Sequence, residues 1–161
     1  MKGNRKTNAV RELERLGISV ELLEYEVDEE DLSAVAAASK VNLPIERIFK
    51  TLVARGDDPK RDIVMACIPG ASELDLKKLA ALSGNKRMEM VHLKELQPLT
   101  GYVRGGCSPV GAKKGYPVYL DESAVGHETI AVSAGQRGLQ MTLSPEDLIR
   151  ATDATVGRLT R

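Results

Sequence analysis

A segment rich in glycine and proline, TGYVRGGCSPVGAKKGYP, occupies positions 100–117 and carries several residue types that could do chemistry. Between Gly106 and Lys114 it nearly matches the phosphate-loop pattern GxxxxGK[ST]. The lysine comes one position too late, however, and no Ser or Thr follows it to hold magnesium. Pro109 also lacks the backbone N–H that such a loop donates to a phosphate. We therefore do not expect a nucleotide phosphate loop here.

The same segment offers two potential nucleophiles, Cys107 and Ser108. Either would need a base, and the chain has only two histidines, His92 and His127. Neither histidine has an Asp or Asn partner that the sequence singles out. The pattern therefore favours a free thiol and surface histidines over a Cys-His or Ser-His site, and two histidines are too few for a typical zinc site.

Lys50 is a charged residue in a largely apolar strand pattern. In IFKTLVAR it alternates with Leu52 and Ala54, so a regular strand places all three on one face. A lysine on an apolar face is costly to bury unless its ammonium meets an anion or its stem reaches out to water. The pattern favours a lysine that extends to water and leaves anion binding open.

Composition limits the classes of protein that fit. Lys and Arg number 23, as do Asp and Glu, so the strongly basic balance of an autonomous nucleic-acid binder is missing. One Phe, four Tyr and no Trp leave little for stacking single-stranded bases, so any RNA contact should be small and local. No apolar run is long enough for a membrane span, and the N-terminus does not resemble a signal peptide. With Cys67 and Cys107 unpaired in spacing, we expect a cytoplasmic protein without disulfides, metal or cofactor.

Periodicity predicts an α+β (mixed α/β) fold in one domain, residues 1–161, with six or seven strands in a mixed, barrel-like sheet and peripheral helices. Period-two or short apolar runs predict strands at 22–28, 47–55, 62–69, 87–91, 116–121, 129–135 and 139–143. Capping residues and helical spacing predict helices at 7–16, 31–39 and 75–84, one turn at 92–96, and a last helix opened by Ser144.

Four motifs together carry a family resemblance: FKTL at 49–52, DLKKLA at 75–80, TGYVRGGCSPVGAKK at 100–114 and VSAGQRGLQ at 132–140. With them, essentially the whole chain resembles the YbaK/EbsC family of aminoacyl-tRNA deacylases. The glycine-rich loop combined with the upstream lysine strand is a specific signal, whereas either alone would be weak. The chain departs from the family at Gln140, where close relatives of the YbaK branch often carry Asp.

The resemblance implies a trans-editing hydrolase with a barrel-like sheet. Prolyl-tRNA synthetase mistakenly charges cysteine or alanine, because a pocket sized for proline cannot strongly reject similarly small side chains. The resemblance implies catalytic roles for Lys50, Gly105 and Gly106, and substrate contacts for Tyr25, Thr51, Ser108, Pro109 and Ser133. The expected partners are the acceptor end of mischarged tRNA(Pro) and prolyl-tRNA synthetase, which would present the substrate.

The YbaK branch is thought to let the cysteinyl thiol attack its own ester, which would explain why no protein nucleophile stands out. We then expect backbone N–H groups around Gly105 and Gly106 to hold the carbonyl oxygen, while Lys50 supplies positive charge. Tyr25 and Ser133 would shape the amino-acid pocket. Two alternatives remain: an Ala-tRNA(Pro) deacylase that uses water, and a non-catalytic module that binds a tRNA end or nucleotide.

Overall fold

The computed structural model describes residues 6–60 and 62–161, which form five helices and eight strands in an α+β arrangement. The helices are α1 (Asn8–Arg15), α2 (Ala34–Val41), α3 (Leu76–Ser83), α4 (Leu93–Thr100) and α5 (Pro145–Thr152). The strands are β1 (Glu21–Glu24), β2 (Phe49–Gly56), β3 (Ile63–Pro69), β4 (Met88–Met90), β5 (Val118–Asp121), β6 (Ile130–Gln136), β7 (Leu139–Leu143) and β8 (Thr155–Gly157). Short 3-10 helices cover Ile45–Arg47 and Glu122–Gly126.

The strands are divided between two sheets. One is five-stranded in the order β4-β2-β3-β5-β8, and the other is three-stranded in the order β1-β7-β6. A single parallel bridge between Ile48 and Ala131 links the start of β2 to β6. The mixed α+β class is thus confirmed, but the strands number eight, and among the described residues they do not close into one barrel.

Strand alternation builds a core on each face of the five-stranded sheet. Phe49 and Val53 of β2 face the main core, which the three-stranded sheet and α1 also line. Ala54 faces the opposite side, where Leu79 of α3 packs against the sheet. The central strand β3 is buried on both faces, as its unbroken apolar run IVMACI predicts.

Two predicted boundaries shift because side chains of the connecting loop bond to the backbone. Strand β1 ends at Glu24 rather than at position 28, and the following chain turns at Asp28, whose carboxylate accepts from the Glu30 N–H at 3.0 Å. Helix α2 begins at Ala34 rather than 31, because Ser33 is its N-cap and accepts from the Ala36 N–H at 3.1 Å.

Helix α4 runs past Pro98 to Thr100, whereas the sequence predicted a single turn that stops before the proline. The glycine-rich segment folds back on this helix end and satisfies its carbonyls. Lys113 Nζ donates to Pro98 O at 3.2 Å, and the Tyr116 hydroxyl donates to Leu99 O at 2.6 Å. These tertiary bonds offset the helix bond that proline cannot make, and they fix the segment against α4.

Strand β8 was not predicted. It has three residues and pairs in parallel with β5, from Tyr119↔Thr155 to Asp121↔Gly157. The Asp121 carboxylate also accepts from the Leu159 N–H at 2.9 Å and holds the chain after β8 in place. A strand of this length depends on its neighbour rather than on its own pattern, so the local sequence gives no period to detect.

Candidate active site

A cavity of about 520 Å³ opens where the two sheets meet. Its walls come from the start of β2, from β6 and β7, from the N-terminal part of α2, from the β4–α4 connection and from the glycine-rich segment. Of the residues predicted to form a site, five line this cavity: Tyr25, Lys50, Thr51, Gly105 and Ser133. These five residues are up to 108 positions apart in the chain (133 − 25), and the fold brings them to one cavity.

One wall is a row of polar side chains set by strand register. The parallel bridge Ile48–Ala131 comes two residues before Lys50 on β2 and before Ser133 on β6. Ser133 in turn pairs with Gln140 of β7. Because the side-chain period of a strand is two, Lys50, Ser133 and Gln140 share one face, and all three line the cavity.

Lys50 carries a positive charge in this wall without a counter-ion. Its side chain is half-buried, and no hydrogen bond or ion pair engages its ammonium among residues 6–60 and 62–161. The strand neighbours Leu52 and Ala54 continue the same face into the second core. An unpaired cation beside an apolar core is a binding group for an anion or for negative charge that develops during a reaction.

Ser133 and Gln140 present unused hydrogen-bonding capacity next to this lysine. Ser133 Oγ accepts from the Gly135 N–H at 3.1 Å, within the bulge that interrupts β6–β7 pairing, so its own proton can be donated elsewhere. Gln140 is 6% exposed, and its Oε1 is buried without a partner in the described part of the chain. A buried acceptor left unpaired costs free energy, so its retention points to a ligand-binding role.

The glycine-rich segment reaches the cavity through a tight turn. Gly106 N–H donates to Val103 O at 2.9 Å, and Gly105, the third residue of this turn, has φ +84°. That position requires a positive φ, which explains the glycine. The Gly106 N–H is therefore already used and does not supply the carbonyl-oxygen contact that the sequence suggested. The Gly105 N–H donates to no described residue.

Gly106, Ser108 and Pro109 are not among the residues that line the cavity. Gly106 lies against the β6–β7 connection, where an added Cβ would stand 3.0 Å from the backbone of Gln136 and Arg137. Ser108 is fully buried, and its Oγ accepts from the Val110 N–H at 3.2 Å. These three buried residues pack the segment against the rest of the fold. Of the predicted loop residues, only Gly105 lines the cavity, together with Arg104 and Cys107.

Neither thiol is poised to act as a nucleophile. Burial raises the pKa of Cys107, which lines the cavity, to about 12. Burial likewise raises the pKa of Cys67 to about 12, although a hydrogen bond with Thr51 opposes this shift; Thr51 Oγ1 lies 3.5 Å from the Cys67 sulfur. Both thiols are protonated at neutral pH, and the thiolate is the reactive form.

Several cavity residues were not predicted from the sequence. Glu30 and Asp31 stand in the wall before α2, and hydrogen bonds from Ser33 lower the pKa of Asp31 below its usual value, which keeps it ionised at neutral pH. Met90 and Leu93 come from the β4–α4 connection. In the sequence, Glu30 and Asp31 are only part of a short acidic run, and Met90 and Leu93 are only apolar residues near each other. Both patterns are common on protein surfaces without a binding site.

Within residues 6–60 and 62–161, no group of three or more His, Cys, Asp or Glu side chains is arranged to hold a metal ion. None of the described helices has the length and apolar character needed to cross a bilayer.

Fold and cavity together define a candidate small-ligand site, whose wall holds a lysine without an ion-pair partner among the described residues. Comparison with known proteins places the chain in a family. A family model described as "Aminoacyl-tRNA editing domain" matches residues 28–151. The chain belongs to this aminoacyl-tRNA editing family, which confirms the resemblance found in the sequence.

Individual relatives agree with this assignment. The chain is 47% identical over 159 residues to the protein named "Putative Cys-tRNA(Pro)/Cys-tRNA(Cys) deacylase EbsC" of Enterococcus faecalis. The aligned region covers 99% of this chain and 96% of that protein. It is 39% identical over 77 residues to a proline–tRNA ligase of Thermosipho africanus, covering 48% of this chain but only 13% of the ligase. A crystal structure of "a putative trans-editing enzyme for prolyl tRNA synthetase" superposes with a TM-score of 0.79 at 27% identity, covering 95% of this chain and 92% of that one.

Proposed function

We propose that this protein is an aminoacyl-tRNA deacylase that acts in trans on Cys-tRNA(Pro) in the cytoplasm, with residues 1–161 as one editing domain. Family membership and the Enterococcus relative, whose name specifies Cys-tRNA(Pro) and Cys-tRNA(Cys), support this substrate class. The observation that carries the proposal is the ammonium of Lys50, which stands in the cavity wall without a counter-ion among the described residues. A site for an ester that develops negative charge needs such a group.

The first task of the cavity is to hold the ester carbonyl. Lys50 and the Gly105 N–H both reach the cavity and have no other partner in the described part of the chain. Together they stabilise the carbonyl oxygen as it becomes negative, with the backbone donor fixed in place by the turn that Gly106 closes. Restricting the oxyanion contact to Gly105 revises the expectation that both glycine N–H groups would act.

The second task is to orient the aminoacyl group. The hydroxyls of Tyr25 and Ser133 line the pocket, and Thr51 stands beside Lys50 on β2. The α-ammonium of an aminoacyl ester is attracted to the ionised Asp31 and to Glu30, which lie in the wall before α2. With the acids there and the lysine on the sheet, the α-ammonium and the ester carbonyl of the substrate are held in one orientation.

The reaction then needs no nucleophile from the protein. The substrate thiol attacks its own ester carbonyl, so that a C–S bond forms and the ester C–O bond breaks. The proton of the thiol ends on the departing ribose oxygen, and water hydrolyses the internal thioester to free cysteine. The raised pKa of Cys107, about 12, supports a passive role for the protein's own thiol.

The proposed partners are the acceptor end of tRNA(Pro) and prolyl-tRNA synthetase. A neutral balance of 23 basic and 23 acidic residues supports weak RNA binding, so that a second protein presents the substrate. Likeness to a segment of a proline–tRNA ligase supports a substrate that such a ligase produces. A shallow salt dependence of activity with the synthetase present, and weak tRNA binding without it, are the expected results.

The decisive experiment compares hydrolysis of Cys-tRNA(Pro), Ala-tRNA(Pro) and correctly charged Pro-tRNA(Pro) by the same preparation. We expect multiple turnovers with Cys-tRNA(Pro) and much slower hydrolysis of the other two, because neither carries a thiol. Equal rates on Cys-tRNA(Pro) and Ala-tRNA(Pro) would show that water attacks and that the substrate thiol is dispensable. Stoichiometric binding without turnover would identify a binding module instead of an enzyme.

A further inference from the structure

Two exposed apolar side chains stand at the mouth of the cavity. Six large hydrophobic residues are exposed in the described part of the chain, and two of them, Met90 at 41% and Leu93 at 60%, also line the cavity. A residue that is both exposed and part of the wall lies where the cavity meets solvent. We name this pair the apolar lip.

The apolar lip is held on rigid elements. Met90 ends β4 and pairs with Ala54 of β2. Leu93 opens α4, and the helix is fastened to β2 by Arg55 and Glu95, which make two hydrogen bonds of 3.2 and 3.0 Å. Sheet pairing and the Arg55–Glu95 clamp thus fix both exposed positions, so the apolar lip is preorganised for binding.

The size of the cavity indicates that more than an amino acid enters it. Its volume of about 520 Å³ falls within the range of roughly 300–1,000 Å³ that holds whole small-molecule ligands. A cysteinyl group has only a few heavy atoms and occupies the polar wall around Lys50. If the ester is bound there, as the proposed function requires, the adjoining nucleoside must extend towards the mouth, where Met90 and Leu93 stand.

We propose that the apolar lip binds the terminal adenine base of the aminoacyl-tRNA. This inference rests on the proposed function and names the part of the substrate that the lip recognises. Bases usually stack on aromatic rings, but the chain has no Trp, its one Phe, Phe49, is 2% exposed, and Tyr25, which lines the cavity, is assigned above to the amino-acid pocket. The thioether of Met90 and the isobutyl group of Leu93 offer the alternative, because thioether sulfur and aliphatic carbon both pack well on an aromatic face.

Kinetics of lip variants test the inference. We expect Leu93→Ser and Met90→Gln each to raise KM for Cys-tRNA(Pro) about tenfold with kcat nearly unchanged, because most of a buried apolar contact is lost. The matched control is Val125→Ser, which changes a side chain that is 51% exposed and does not line the cavity. Unchanged KM in both lip variants would overturn the inference. An effect seen only when prolyl-tRNA synthetase is present would also overturn it, since the lip would then contact a protein.

Binding of adenosine 5′-monophosphate gives a readout that is independent of catalysis. With methyl-labelled methionines, five in the chain, the adenine ring should shift the Met90 methyl resonance upfield, and Leu93→Ser should weaken the titration. Ribose 5-phosphate, which has no base, should not shift it; equal shifts by both compounds would overturn the inference. If Met90 responds to the nucleotide but no deacylation is measured, the proposed function fails while the base site stands. If deacylation proceeds but Met90 does not respond, the lip inference alone fails.

Discussion

Lys50 of β2 and Ser133 of β6 each stand two residues beyond a parallel bridge, Ile48–Ala131, and both side chains line the same cavity. This bridge is the one point where the two sheets of the described chain are joined by strand pairing. The junction therefore sets the distance between a cation on one sheet and a hydroxyl on the other. The geometry of this cavity wall depends on how the two sheets are held together.

The first prediction concerns Lys50. Lys50→Met keeps an unbranched side chain and removes the charge, and it should lower kcat/KM for Cys-tRNA(Pro) by roughly 10²–10³-fold, as expected for one electrostatic donor. The melting temperature should stay the same or rise, because an unpaired cation beside an apolar core is removed. Lys77→Met, which changes an exposed lysine on α3, is the control. Retained activity in Lys50→Met would contradict the assigned role of the charge.

A second prediction separates the protein's thiol from that of the substrate. Cys107→Ala should keep kcat/KM within about threefold of the wild type, because a protonated thiol contributes no nucleophile. The physical basis is the burial of Cys107, which raises its pKa to about 12. Cys67→Ala is a suitable comparison, since that thiol is fully buried and is not part of the cavity wall. An inactive Cys107→Ala with an unchanged melting temperature would show that the enzyme supplies the nucleophile.

Local pattern was enough to predict much of the fold. The alternation around Lys50 placed it correctly on the face of Leu52 and Ala54, because strand period is a local property. The ends of α3 were also correct, since Asp75 accepts from the N–H groups of Lys77 and Lys78 and Gly84 takes φ +79°. Features that depended on distant partners were missed: α4 continues past Pro98, and β8 forms on β5.

The site was predicted less completely than the fold, because it depends even more on partners that are distant in sequence. A glycine pair suggested two backbone donors, but the fold uses the Gly106 N–H to close a turn with Val103. The resemblance marked Gln140 only as a departure, whereas the structure shows its Oε1 buried and unpartnered among the described residues. Hydrogen-bond partners are set by tertiary geometry. Sequence spacing alone therefore cannot show which polar groups remain available to bind a ligand.

The third prediction is that replacing Gln140 raises stability and lowers activity. Gln140→Leu removes a buried acceptor without a described partner, so the free energy of unfolding should rise by about 1 kcal/mol. Deacylation should fall about tenfold or more, because a hydrogen-bonding group is lost from the cavity wall. Denaturant unfolding and steady-state kinetics on the same preparation measure both. A variant that is less stable and fully active would show that the amide serves the fold instead.

A fourth prediction compares two glycines that share one backbone conformation. Gly105 and Gly101 both have φ +84°, and a Cβ at either would meet neighbouring atoms no closer than 3.4 and 3.5 Å. Gly105→Ala and Gly101→Ala should therefore cost similar stability, roughly 1–2 kcal/mol each, from the left-handed conformation. Only Gly105→Ala should also lower kcat, because Gly105 lines the cavity and Gly101 does not. Equal loss of activity in the two variants would mean that the backbone geometry at Gly105 has no specific role in the reaction.

The last prediction follows the clamp between Arg55 and Glu95, which fixes α4 and hence the apolar lip. Hydrogen bonds from the Arg55 guanidinium, followed by one from the His92 N–H, lower the pKa of Glu95 below its usual value of 4.5. Because the folded pKa is depressed, the stabilisation is fully present above about pH 4.5 and is lost as pH falls through the folded pKa. Thermal melts of wild type and Glu95→Gln should thus differ at pH 7 and differ less at pH 3, because the Glu95 carboxylate becomes protonated as pH falls.

The matched control for the clamp is Glu73→Gln, which breaks an ion pair with Arg161 of 3.1 Å whose side chains are 75% and 68% exposed. Such a pair contributes little in solvent, so this variant should melt like the wild type at both pH values. Glu95→Gln should in addition raise KM for Cys-tRNA(Pro) at neutral pH, because α4 no longer holds Leu93 firmly at the cavity mouth. A constant gap between Glu95→Gln and wild type from pH 7 to pH 3 would show that the clamp's charge does not stabilise the fold.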